Sequence, residues 1–155
     1  MHGLWNLTRR AFLRVSALAG AIGLLGLPGR TWAVPGLGRL QTAKDPANPT
    51  PFERGHLPQV QLPLIAEDGA NVPILVEMEM MQEPNHYIAS IEIFNYNDPV
   101  INKGTYHFTP ASGRVFLGTQ FRMNAGDSRV HVVAECNQHG KWVFSRDIKV
   151  SVGGC

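Results

Sequence analysis

The chain has 155 residues and two cysteines, and these two thiols hold most of its chemical potential. Cys136 opens the segment Cys136-Asn137-Gln138-His139-Gly140-Lys141-Trp142. A thiolate and an imidazole three residues apart across a tight turn can both face one metal ion. The same residues also read as a plain β-turn, with Asn137 and Gly140 shaping the backbone, His139 exposed and Cys136 a small apolar strand residue. Cys155 sits differently, because Gly153 and Gly154 separate it from an apolar strand pattern that runs to Val152. Glycine has the widest backbone freedom, so this tether lets a thiol sweep about 10 Å, at roughly 3.3 to 3.6 Å per extended residue. Such a thiol is accessible, whereas an α-carboxylate on the same residue would disfavour the thiolate. The placement suits a handle that carries a covalent load while a partner enzyme does the chemistry; a frayed tail with an accidental cysteine is the plainer alternative.

The elements that must position these groups read as strands. Ile74, Val76, Met78 and Met80 alternate with Leu75, Glu77 and Glu79, a period of two that a helix cannot use. Strands are expected at 60–65, 72–80, 87–95, 105–109, 115–122, 129–136 and 141–152, separated by turn formers such as Glu67-Asp68-Gly69, Pro110-Ala111-Ser112-Gly113 and Asn124-Ala125-Gly126-Asp127. About seven strands without an amphipathic helix predict an all-β, immunoglobulin-like antiparallel β-sandwich over 59–152, with 153–155 as a flexible carboxy-terminal arm. Alternation places Met78 and Met80 in the core rather than in a copper site with Met81, and makes His107 an edge histidine; Trp142 and Phe144 read as core.

The amino-terminal part divides in two. Thr8-Arg9-Arg10-Ala11-Phe12-Leu13-Arg14 precedes an apolar run from Val15 to Leu27 that is too short to span roughly 30 Å of hydrocarbon. This is the pattern of a twin-arginine export signal over 1–33, with cleavage after Ala33 in Thr31-Trp32-Ala33 and a periplasmic product without stable membrane insertion; an uncleaved membrane anchor is the alternative. Residues 34–58 hold Pro35, Pro46, Pro49, Pro51 and Pro58, and are expected to run extended over the surface with little regular structure.

Charge excludes one class of partner. The chain is formally +2, but residues 1–33 contribute four arginines and no acid, leaving ten basic against twelve acidic residues. Nothing in that balance supports nucleic-acid binding. Two cysteines also exclude a disulfide scaffold and a four-cysteine zinc site, and the dissimilar settings of Cys136 and Cys155 favour two separate thiols over a bridge between them.

Three segments carry a family resemblance. Ile91-Glu92-Ile93-Phe94 with Asn97-Asp98-Pro99, then Tyr106-His107-Phe108-Thr109-Pro110-Ala111-Ser112-Gly113, and the ending Ile148-Lys149-Val150-Ser151-Val152-Gly153-Gly154-Cys155 resemble SoxY, the sulfur carrier of periplasmic thiosulfate oxidation. The resemblance covers most of 60–155. It implies an immunoglobulin-like domain that is not itself an enzyme, has no catalytic residue and requires no cofactor. Cys155 would hold sulfur intermediates as covalent adducts on the Gly153-Gly154 arm. It also implies a heterodimer with a SoxZ-like subunit that serves a Sox cytochrome, a sulfate-releasing hydrolase and a sulfur dehydrogenase. The sequence departs from the usual Gly-Gly-Cys-Gly-Gly ending by stopping at the cysteine.

A second resemblance falls on different residues. The Cys136 segment, with Gly55-His56-Leu57-Pro58 and Asn85-His86-Tyr87-Ile88, is similar to superoxide reductases of the desulfoferrodoxin group. Those hold one iron with four equatorial histidines and an axial cysteine. By motif the resemblance implies His56, His86, Cys136 and His139 as ligands, and an alternative function as a mononuclear non-haem iron superoxide reductase. The fourth histidine, expected six residues before His86, is replaced by Met80, whose softer sulfur would weaken a ferrous site and shift preference towards copper.

Overall fold

The computed structural model describes residues 37–151. The predicted export signal and the Gly153-Gly154-Cys155 arm therefore lie outside the described residues. In chain order the elements are β1 (Leu40–Gln41), α1 (Pro51–His56), β2 (Gln59–Gln61), β3 (Ile65–Ala66), β4 (Val72–Met81), β5 (Ile88–Asn95), β6 (Asn102–His107), a 3-10 turn (Pro110–Ser112), β7 (Arg114–Phe121), β8 (Gly126–Cys136) and β9 (Gly140–Val150). No helix among the described residues is long and apolar enough to cross a membrane.

The strands make an all-β sandwich. One sheet runs β1-β9-β8-β5-β6, with β3 also paired to β9, and the other runs β2-β4-β7. The pairings are antiparallel except at β9, where β1 and β3 join in parallel. Alternation in β4 sends Val72, Ile74, Val76 and Met78 inward, where they meet Ile91 and Ile93 of β5, Val130, Val132 and Ala134 of β8, and Ile148 and Val150 of β9. Ile88 joins the same core although its parity differs from Ile91, because the register with β8 shifts between Ile88 and Ser90.

A smaller apolar cluster covers part of the outer face of the larger sheet. Leu37 and Leu40 pack there with Phe94, Val133 and Val143. Strand β9 thus has buried residues of both parities near its start, Trp142 as well as Val143.

The segment 34–58 departs from the sequence expectation, because it contains both β1 and a helix. Thr50 caps α1: its hydroxyl accepts from the Glu53 amide, the Glu53 carboxylate accepts from the Thr50 amide, and Pro51 occupies the first turn. The predicted strand 60–65 is also corrected. It divides into β2, which pairs with β4, and β3, which pairs with β9, so the chain crosses between sheets over Leu62-Pro63-Leu64. The turn expected at 124–127 shortens because Gly126 and Asp127 pair with Val150 and Lys149. Met78 is fully buried, Met80 partly buried and Met81 exposed, while His107 is exposed on the edge strand β6. Phe144, expected in the core, is only half-buried.

Candidate metal centre

Four side chains converge where the helix, the β4–β5 loop and the β8–β9 hairpin meet. The ligand atoms of His56, His86, Cys136 and His139 all lie within 4.8 Å of one another. His56 Nε2 is 3.1 Å from His86 Nε2 and 3.0 Å from His139 Nδ1, and the latter two nitrogens are 3.1 Å apart. Cys136 Sγ lies 3.6 Å from His139 Nδ1. Met80, the residue in the fourth histidine's place, packs beside the helix: a Cβ built on Gly55 would meet the Met80 Cβ at 3.9 Å.

Local sequence explains each placement. Cys136 closes β8 opposite Gly140, leaving Asn137-Gln138-His139 as the hairpin loop. Gly140 has φ +74°, the left-handed conformation that this loop needs and that favours glycine. His86 ends a turn in which its amide donates to the Glu83 carbonyl at 3.2 Å and its carbonyl accepts from the Glu83 amide at 3.0 Å; Pro84 and Asn85 suit the turn's central positions. The Gln82 side chain holds the base of this loop, donating to the Ile88 carbonyl at 3.1 Å and accepting from the Ile88 amide at 2.8 Å. Asn137 joins loop to hairpin: its Oδ1 accepts from the Tyr87 amide at 3.0 Å and its Nδ2 donates to the Asn85 carbonyl at 3.0 Å. Gln41 of β1 donates to the His139 carbonyl.

His56 is supplied by α1 and is 2% exposed, so it is the most enclosed of the cluster's three histidines. Its Nδ1 lies 2.7 Å from the Phe52 carbonyl, which can only accept, so Nδ1 carries the proton and Nε2 presents a lone pair to the centre. Burial pushes the His56 imidazole below its ordinary value, outweighing the Phe52 carbonyl, and the neighbouring His139 and His86 push the same way. Trp142 packs against the His56 ring at 5.3 Å between centroids, and its buried Nε1 has no hydrogen-bond partner among the described residues. Phe52 contacts the His139 ring edge-on at 5.0 Å. These aromatics close the apolar side of the cluster.

The structure brings His56, His86, Cys136 and His139 together. His139 is half-buried against two histidines rather than exposed, while Cys136 is both a buried strand residue and a free thiol. Cys155, Gly153 and Gly154 lie outside the described residues. Sequence reasoning missed Gln82, Gln41 and Thr50, although Thr50-Pro51-Phe52-Glu53 is a legible capping box with proline at the first helical position. Three imidazole nitrogens and one thiolate form a donor set that zinc, copper and iron all accept.

Comparison with known proteins identifies the fold and the family. A β-sandwich with a histidine–cysteine cluster is the class, and solved structures share the fold. A variant of superoxide reductase (neelaredoxin) from Ignicoccus hospitalis matches with TM-score 0.61 and 20% identity over 72% of this chain and 94% of that one. The reduced neelaredoxin from Archaeoglobus fulgidus matches with TM-score 0.52 and 18% identity over 71% and 98%. Residues 47–155 match the family described as sulfur oxidation protein SoxY, and the chain belongs to that family. No curated protein matches the sequence.

Proposed function

We propose that this protein is a periplasmic sulfur carrier of thiosulfate oxidation, exported by the twin-arginine pathway, with Cys155 as the thiol that holds the cargo. The supporting observation is that the SoxY family match runs through the glycine tether to Cys155 itself. The sandwich is the rigid base and Gly153-Gly154 the arm that delivers the sulfur into partner active sites. A SoxZ-like subunit pairs with the domain. Loading forms a sulfur–sulfur bond between the Cys155 thiol and thiosulfate, releasing one proton and passing two electrons, one at a time, to a partner haem cytochrome and its electron acceptors. A hydrolase then adds water across the sulfur–sulfonate bond, releasing sulfate and leaving a persulfide for a sulfur dehydrogenase. The carrier itself needs no cofactor for this. Cys155→Ser should abolish loading by thiosulfate and the partner cytochrome while preserving fold and subunit pairing; full loading of that variant refutes the assignment.

The convergence of His56, His86, Cys136 and His139 favours a second reading, a mononuclear non-haem iron superoxide reductase. Those four residues would hold the iron, which when bound supplies one-electron chemistry. This reading expects a thiolate-to-iron charge-transfer band in the oxidised protein that is lost in Cys136→Ala and kept in Cys155→Ala. The absence of any such band from the iron-loaded protein removes it.

A further inference from the structure

A sandwich of two open sheets has edges whose unpaired amides and carbonyls accept another strand unless something blunts them. Among the described residues, three of the four edges here are blunted. β1 and β3 share one edge of the larger sheet and are two residues long each. β6, at its other edge, shifts register against β5 and carries Lys103, whose ammonium turns inward to the buried Asp98 at 2.7 Å. β2, at one edge of the smaller sheet, has three residues. β7, at the other, is different. It is eight residues long, contains no proline or lysine, and sends only the uncharged Val115, Leu117, Thr119 and Phe121 inward. The register shift in its pairing with β4 falls between Glu77 and Met81, on the β4 side, so β7 itself runs unbroken. The Tyr106 hydroxyl of β6 donates to Thr119 Oγ1 at 3.1 Å, which closes the core behind this edge without pairing its backbone.

We propose that β7 pairs antiparallel with β7 of a second copy of this chain, centred on Leu117, so that Phe116 of each copy lies over Gly118 of the other. The pairing goes beyond the carrier reading and uses none of its residues. Residues directly opposite in an antiparallel pair point to the same face, so a two-fold axis between two identical strands must fall on a residue. About Leu117, Phe116 stands opposite Gly118, Arg114 opposite Gln120 and Val115 opposite Thr119. One residue on, about Gly118, Arg114 would face Arg122 twice, and like charges directly opposite are destabilising.

The outer face of β7 fits the Leu117 register. Phe116 is 64% exposed, the large apolar side chain that this edge leaves in water. Two residues away, Gly118 and Leu75 line an open groove of about 920 Å³. Leu75 leans over the glycine, its Cδ1 lying 3.6 Å from where a Gly118 Cβ would stand. A Phe116 ring from the second copy covers that bare backbone and lies against Leu75, and the two-fold axis makes the contact twice. Knob and groove sit on the same strand, so the surface is complementary to itself. Pairing turns two three-stranded sheets into one continuous sheet of six and removes the unprotected edge.

The test uses the chain as recovered from its own cells, followed by sedimentation over a dilution series. Two copies of this chain per particle are expected, falling to one on dilution, whether or not an unlike subunit travels with each. Phe116→Lys changes an exposed side chain and should weaken this association by about tenfold or more, because the lost anchor enters twice. Register is read by cysteine placement in a Cys155→Ser background. Leu117→Cys should link two copies on mild oxidation, since opposite Cα atoms about 4.5 to 5.5 Å apart suit a disulfide, and Gly118→Cys should not. One copy per particle at every concentration, undiminished association of Phe116→Lys, or a link through Gly118→Cys in place of Leu117→Cys would each overturn the proposal. Release of an unlike subunit by Phe116→Lys, in place of a second copy, would overturn it too. None of these results bears on sulfur loading at Cys155.

Discussion

Gln82 offers a quantitative test of how the fold holds the loop that carries His86. Its carboxamide satisfies both the amide and the carbonyl of Ile88, a residue that is 0% exposed. Replacing Gln82 by alanine leaves two buried backbone groups without partners. Each orphaned group costs about 1 to 3 kcal/mol, so the loss should be about 2 to 6 kcal/mol, with the low end reached if water enters the space. The same change frees the base of the loop that carries His86, removing a supporting contact of the kind whose loss weakens metal binding by about 10- to 100-fold. Urea unfolding of the metal-free variant reads the first effect, and competition between the protein and a chromophoric chelator for added metal reads the second. A stability loss below about 1 kcal/mol would refute the claim that Gln82 satisfies Ile88. Wild-type metal affinity in a destabilised variant would refute its role in placing His86.

Other predictions fall on neighbouring features. Asp98 is buried, meets Lys103 Nζ at 2.7 Å, and also accepts from the Asn124 amide and the Asn95 side chain. Asp98→Ala strands the Lys103 ammonium and should cost about 3 to 5 kcal/mol in urea unfolding, an expectation that a loss under about 1 kcal/mol contradicts. The Glu53 carboxyl is held below its ordinary 4.5, chiefly by the Thr50 amide and then by the Lys44 amide and the Thr50 hydroxyl. A depressed carboxylate stabilises the capped helix above its unfolded value and loses that contribution as pH falls through the folded one. The Thr50 and Lys44 amide NMR signals should therefore titrate with midpoints below 4.5, and midpoints at or above it would contradict the capping geometry. Gly140→Ala forces an L-residue to φ +74° and should cost about 1 to 2 kcal/mol in urea unfolding, with Gly140→Asn less harmful; equal stability of wild type and alanine variant would deny the strain.

The strands were legible where one rule acted alone. Alternation from Val72 to Met80 marked β4 and its inward residues, because a sheet face against a core leaves period two in the sequence. It was less informative where two rules competed. Prolines in 34–58 suggested an extended path, yet Pro51 is at the start of a helix, the one place where its missing amide costs nothing. Strand β9 ran on from the hairpin as expected, but the crossing between sheets at Leu62-Pro63-Leu64 depends on long-range pairing with β4 and β9 that no local pattern encodes. The candidate ligands were readable as Cys136 and His139 from spacing alone. His56 and His86 needed a family resemblance, since they come from stretches 30 residues apart that only the fold brings together. Gln82 and Asn137 act by satisfying particular backbone groups, and that work is invisible before the loop and hairpin are placed side by side.

Sulfur carriage by Cys155 is tested most directly by mass spectrometry of the non-reduced protein recovered from its own cells during thiosulfate oxidation. Sulfane-sulfur or thiosulfonate mass is expected on the peptide that contains Cys155, with none on the peptide that contains Cys136. An unmodified Cys155 in cells actively consuming thiosulfate would contradict the carrier assignment.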